Sequence, residues 1–323
     1  TIFTYDDAGN QIGQMDARGV NVQYDFDALN RLTAATYPSS PTENIAYTYD
    51  QPSGMFGVGR LTQLNDQTGS TQYVFDHRGN QLSATVNIQG NLYSTYYTYD
   101  LADNLIQTTY PSGRVVSNQL DSLGRTSSVS TATSVGNPSQ TIASAIDYLP
   151  FGPVQTLQYG NGLELSLDID ADYRLSNFAV SGSGGVAPNI LDRGYTQNAV
   201  NNITAISDSV DSARSQDFPY DQLNRLISAD GAYGLENYTY DPVGNRLSLT
   251  VTKGGTNSLE TYTYDTASNR LLSIDVDGDL RTLSYDNAGN IIDDDRGAEI
   301  GFDLIYNAQN RLIDAIPQQG AQP

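Results

Sequence analysis

The chain has 323 residues, and its 37 acidic against 16 basic residues give a formal charge of −21 that repels phosphate backbones and disfavours a nucleic-acid partner. With no cysteine, disulfides, thiol nucleophiles and thiolate metal sites are excluded, and a single histidine, His77, excludes zinc sites built from several histidines. Hydrophobic residues make up only 38% of the chain while tyrosine reaches 23 copies, which fits a sheet with a tyrosine-rich face better than a thick aliphatic core.

The first predicted element is a short aromatic strand through Phe3 and Tyr5, followed by Asp6 and then Gly9. Phe3 and Tyr5 stand two apart, so in an extended strand both point to one face. The same arrangement returns at Phe26-Asp27 with Asn30, at Tyr49-Asp50, at Phe75-Asp76 with Gly79, and at Tyr99-Asp100. It passes through degenerate copies anchored on Leu120, Tyr148, Ile169 and Gln197. Regular form resumes at Tyr220-Asp221, Tyr240-Asp241 with Gly244, Tyr264-Asp265, Tyr285-Asp286 with Gly289, and Tyr306. These are fourteen anchors, and the first and last lie 301 residues apart, a mean step of about 23.

Three columns define each copy. The anchor is Tyr or Phe in eleven of fourteen copies, and the next residue is Asp in eleven. Four after the anchor comes Gly, Asn or Asp in eleven copies, residue types that enter positive φ at low cost. Two before the anchor the residue is apolar in all copies but that of Asn118. A twofold alternation inside a long period predicts hairpins in tandem. The expected fold is therefore all-β: tandem β-hairpin repeats forming a long antiparallel sheet that spirals into a shell or solenoid. Fourteen hairpins supply about 28 strands, a strip roughly 130 Å long that must twist to hide its apolar face. Residues 1–316 are expected to be one array, with 317–323 a flexible tail.

Several stretches depart from the pattern. The third copy carries an insertion, QPSGMFGVG, between Asp50 and Arg60, with Met55, Phe56 and Val58 as its apolar residues; it is expected to fold onto its own hairpin. Between residues 127 and 218 the register is weakest. There, Pro150 and Pro153 are expected at a turn or a distorted edge, Tyr159–Gly162 reads as a turn, and Ser181–Gly185 as a hairpin tip. Asp275, Asp277 and Asp279 partly mimic a calcium loop, but Leu280 holds the place of its required glycine, and Asp277-Gly278 reads as a hairpin turn. The chain does not open on Met, and the pattern is cut at both ends, so we expect a mature piece or a fragment flanked by further repeats or joined to its own copies.

The stretches YDPVGNRL, YDQLNRL, FDALNRL, YDNAGN and FDHRGN resemble the YD repeats of the Rhs (rearrangement hotspot) family, which also occur in Tc toxin B and C components, wall-associated proteins and teneurins. The resemblance runs from Phe3 to Leu312. It implies a hollow β-shell and an extracellular, secreted protein whose repeats enclose and deliver a toxic C-terminal domain. Neither the DPxGL-like core nor the autoproteolytic site of such proteins is found in this sequence. An adhesion or self-assembling module is the alternative, with a glycan as a possible ligand.

Chemistry is not expected. His77 occupies a variable turn position beside Arg78, where a solvated residue is the simpler reading. A carboxylate pair for glycoside cleavage would have to break the repeat, whereas the recurring Asp is explained in every copy by a structural task. No enzyme activity, metal or cofactor is expected; the expected partners are an enclosed protein cargo, flanking repeats or further copies, and no membrane span. Arg31, Arg60, Arg225, Arg246, Arg270 and Arg311 follow the turns and are expected to stack on the aromatic columns or pair with turn Asp residues.

Overall fold

The computed structural model describes residues 1–51, 56–150, 152–182, 189–297 and 299–318. The expectations for Met55, for the hairpin tip beyond Gly182 and for the tail beyond Gln318 lie outside the described residues. Within them the chain is all-β, with 28 strands in one antiparallel sheet and two short 3-10 segments, Pro41–Glu43 and Ser212–Arg214. No helix among the described residues is long and apolar enough to cross a membrane.

The chain forms two compact units. One comprises Thr1–Ala143 together with Asp286–Asn290 and Tyr306–Ile313. The other comprises Ser144–Tyr285, Ile291–Ile305 and the described residues from Asp314 onward. In both, each strand pairs with its neighbours in sequence. In the first, Asn21–Phe26 pairs with Leu32–Thr36, and that strand with Ile45–Tyr49. In the second, Gly234–Tyr240 pairs with Arg246–Lys253, and that strand with Thr256–Tyr264.

The strands follow from the two aromatic columns. In Tyr238-Thr239-Tyr240 a β-branched residue separates two tyrosines, and burial along the strand alternates residue by residue. The core is thin: among the described residues the buried hydrophobic ones are Val22, Ala35, Val115, Ala143, Leu165, Ala229, Tyr262 and Leu283. Most tyrosines are only half-buried, so their hydroxyls stay near water or reach a polar partner.

Strands end where the anchors stand. Tyr5, Phe26, Tyr49, Phe75, Tyr99, Tyr240, Tyr264, Tyr285 and Tyr306 are each the last residue of a strand, and Tyr220 makes an isolated bridge to Leu226. The pairing register shifts beside the anchor in copy after copy, as between Asp25 and Phe26, Thr239 and Tyr240, and Ser284 and Tyr285. Opposite Asp25-Phe26, for example, Ala34 and Leu32 pair and Thr33 is the extra residue. Such a bulge interrupts the ladder.

The next anchor repairs it. Tyr49 donates its hydroxyl to the Leu32 carbonyl at 3.0 Å, Tyr99 to Gln81 at 3.1 Å, Tyr220 to Ile203 at 3.0 Å, Tyr240 to Leu226 at 2.7 Å, Tyr264 to Arg246 at 3.0 Å and Tyr285 to Leu271 at 2.6 Å. In every case the acceptor is the residue paired with the preceding anchor. Gln197, which breaks the aromatic column in the sequence, keeps the function: its Nε2 donates to the Leu175 carbonyl at 2.6 Å. A long side chain with a terminal donor can fill this role without an aromatic ring, while Phe26 and Phe75 keep the ring without the donor.

The irregular copies keep the frame. Beyond the insertion, Tyr49 still pairs with Leu61, and Asp50 accepts the Gly59 N–H at 2.6 Å. Phe56 and Val58 remain exposed, and the Phe56 ring meets that of His77 edge-on at 6.1 Å. At Pro150 and Pro153 the Leu149 N–H donates to the Pro153 carbonyl at 3.1 Å, closing a turn of the usual form without its carboxylate.

Replacing Tyr240 by Phe should lower unfolding free energy by about 1 kcal/mol, because the Leu226 carbonyl loses its donor while the ring stays. Gln197→Ala should weaken its repeat through the same lost bond. Urea unfolding of both variants checks this, and unchanged midpoints would show that these hydroxyl and amide contacts do not contribute.

Candidate functional site: the repeat turn and its staples

The residues between paired strands form a compact five-residue turn. In Asp221–Arg225 the Asp221 N–H donates to the Arg225 carbonyl at 2.9 Å and the Asn224 N–H to the Asp221 carbonyl at 3.0 Å. Asn224 takes φ of 60°, and Gly244 in the next copy takes 99°, which explains the Gly/Asn/Asp column. Tyr173 adopts φ of 60° at the same position, so the strands enforce the conformation even on a bulky side chain. In the Asp265 turn the left-handed residue is Asn269, one place later, because that turn is a residue longer.

The carboxylate saturates this turn. Asp221 Oδ1 accepts the N–H groups of Leu223 at 2.8 Å and Arg225 at 2.9 Å, while Oδ2 accepts Arg225 Nε at 2.7 Å. Asp6, Asp27, Asp100, Asp121, Asp170 and Asp241 make the same set, with Asn or Arg as the side-chain donor. Asp76 and Asp286 accept the N–H and side chain of Asn80 and Asn290. Asp16 also closes a turn, accepting the N–H groups of Arg18 and Val20 on Oδ1 and Arg18 Nε on Oδ2, although no aromatic residue precedes it and the repeat pattern does not point to it.

These bonds hold the carboxyls below the usual range. For Asp6 and Asp100 the main cause is the Asn side chain four residues on, then that residue's backbone N–H. For Asp27, Asp121 and Asp221 it is the backbone N–H of the Arg four residues on.

In many copies the donor at the end of the turn, or the residue after it, also reaches the next copy. Arg225 Nη1 donates to the Asp241 carbonyl at 2.9 Å, and its guanidinium lies 5.0 Å from the centre of the Tyr240 ring. Arg31 bonds both Asp27 and Asp50 and sits 4.4 Å over Tyr49. Arg60 faces Phe75 at 5.5 Å, Arg246 faces Tyr262 at 4.4 Å, and Arg270 faces Tyr285 at 5.5 Å. Where Asn replaces Arg, the amide reaches the left-handed residue of the next turn: Asn10 to Asn30 at 2.9 Å, Asn80 to Asp103 at 2.5 Å, Asn202 to Asn224 at 3.1 Å. Arg and Asn share one column because both present N–H donors to two acceptors at once.

Comparison with known proteins agrees with this geometry. Residues 5–42 match the RHS Repeat family. That stretch holds the first two copies of the repeat. Its fold is that of the Tc holotoxin pore structure of Photorhabdus luminescens, with a TM-score of 0.78 at 17% identity over 99% of this chain and 19% of that one. The TcdB2–TccC3 crystal structure matches with a TM-score of 0.79 at 17% identity, over 99% and 20%. The same assembly without its hypervariable C-terminal region matches with a TM-score of 0.79 at 17% identity, over 99% and 19%. The chain thus spans about a fifth of the chains it matches. No curated protein sequence matches it.

Two YD copies carry a further polar contact. Tyr238 donates to Glu236 and Tyr262 to Glu260, and Arg246 Nη2 donates to the Tyr262 hydroxyl at 2.6 Å. Burial, then the bond to Glu260, pushes the Tyr262 hydroxyl up to about 12. His77 is exposed, and the described residues contain no cluster of His, Asp and Glu arranged to hold a metal ion. Asp277 and Gly278 take φ of 51° and 95° and close a hairpin, with Asp277 accepting the Leu259 N–H at 2.8 Å.

Because the turn carboxyls titrate lower in the folded chain than in the unfolded one, the unfolded chain binds protons first as pH falls. The stabilisation is complete above about pH 5 and is lost as pH drops toward the lowered values. Urea midpoints measured at pH 7, 4 and 3 should fall in that order, and a midpoint flat across this range would remove the carboxylates from the stability of the repeats.

Proposed function

We propose that this chain is a structural segment of a secreted Rhs/Tc-type shell, whose YD repeats wall off a protein cargo encoded outside the segment. The supporting observation is that copies are joined by strand pairing throughout, and in many of them also by a hydroxyl or amide on the bulge carbonyl and by an Arg or Asn at the edge. A wall needs such continuity and needs no reaction centre. The acidity of the chain suits contact with a basic cargo. The likeness in fold to the TcdB2–TccC3 assembly supports the same reading. Residues 1–316 act in it as one array, and the protein works outside the cell.

A second reading, self-association, draws on the strand Ile2–Tyr5. It is exposed along its length, with Ile2 59%, Phe3 47% and Tyr5 59% accessible, and strands of that kind accept a further strand.

Protease treatment of the complete protein from its source tests the shell. A segment downstream of the repeats should survive digestion until the repeats are denatured; digestion at the rate of the same segment made alone would overturn enclosure. Light scattering of the present chain separates the second reading: growth in mass with concentration would favour it, and a constant monomer mass would dismiss it.

A further inference from the structure

The last turn of the array differs from the rest. Asn307 replaces the turn aspartate. An asparagine can do most of that work: Asn198 Oδ1 accepts the N–H groups of Val200 and Asn202, both at 3.0 Å. Asn307 Oδ1 accepts the Arg311 N–H at 2.9 Å, but the Gln309 N–H, which the turn residue normally takes, goes to Glu43 Oε2 at 3.1 Å. The other oxygen of that carboxylate, Glu43 Oε1, accepts the Ala308 N–H at 3.3 Å.

Glu43 is 265 residues from Ala308 in sequence, lies in the same compact unit and is only 8% accessible. It ends the 3-10 segment Pro41–Glu43, and its backbone carbonyl accepts Gln309 Nε2 at 2.8 Å. Arg18 takes the opposite polarity of the same turn. Asp16 orients its guanidinium through Nε at 2.8 Å, and Nη1 and Nη2 donate to the carbonyls of Asn307 at 2.9 Å and Ala308 at 3.2 Å. Two N–H groups thus meet an anion and two carbonyls meet a cation.

We infer that Glu43 is a surrogate turn carboxylate, supplied from the second repeat to the fourteenth, and that with Arg18 it forms a clasp closing the last turn onto the first two repeats. The clasp reads backbone groups, so it holds the turn conformation more than its side chains. An aspartate at 307 would make the turn self-sufficient and set two carboxylates against one N–H. The clasp therefore depends on the asparagine as much as on Glu43. Glu43 is a positioning residue for the turn.

Amide-resolved hydrogen exchange on the present chain tests this, with Glu43→Gln, Asn307→Asp and the double variant. Glu43→Gln should speed exchange of the Ala308 and Gln309 amides by about tenfold or more, since a charged acceptor is lost. The amides of residues 234–264 should be unaffected. Adding Asn307→Asp should slow the Gln309 amide again, because the new carboxylate takes it. Unchanged exchange in Glu43→Gln, or a folded double variant whose Gln309 amide stays fast, would overturn the proposal. Should Glu43→Gln not fold, the double variant decides: recovery of a cooperative melt supports the surrogate, and failure to fold overturns it.

Discussion

One contact recurs along the array and tightens it, the carboxylate of the turn aspartate saturating the backbone N–H groups around it. An isolated hairpin is marginal in water, and the few buried side chains of this sheet form only a thin apolar layer. The edge of the sheet must therefore be ordered by polar bonds. One oxygen of Asp221 closes the turn, and the other aims Arg225 at the following copy. Local shape and copy-to-copy spacing are set by the same side chain.

Individually these are half-exposed ion pairs and amide bonds of modest strength. Their value lies in register: those that reach the following copy, such as Arg31 to Asp50 and Arg225 to Asp241, tie two copies together, so loosening one copy also removes a partner from the next. The frame also tolerates loss of the acid. The turn at Leu149 keeps its backbone bonds with no carboxylate, and Tyr173 holds a left-handed conformation. The strands carry the frame, and the aspartates tighten it.

That division of labour fits a scaffold. Repeated carboxylates with lowered proton affinity stay ionised and occupied by backbone donors, which leaves them poorly suited to act as general acids or bases. The hydroxyls of Tyr49, Tyr99, Tyr240 and Tyr285 are likewise committed to carbonyls. Polar groups that look like an abundance of candidate reactive side chains are the fasteners of the sheet.

The sequence alone determined the period, the all-β class, the turns that follow the anchors and most of the residue types at positive φ there, because these rest on contacts within five residues; the turn at Asp16 and the left-handed Tyr173 lay outside that pattern. It also placed the arginines beside the aromatic columns, though not the asparagines that share their column. The extra residue at each bulge, the carbonyl that Gln197 reaches in place of tyrosine, and the seating of Asn307–Gln309 on Glu43 and Arg18 came only with the tertiary structure. The partners of Gln197 and of Asn307–Gln309 lie 22 to 290 residues away, and which groups meet across such a span, like which residue is left over at a bulge, is decided by strand register and by the course of the sheet, neither of which a local pattern encodes.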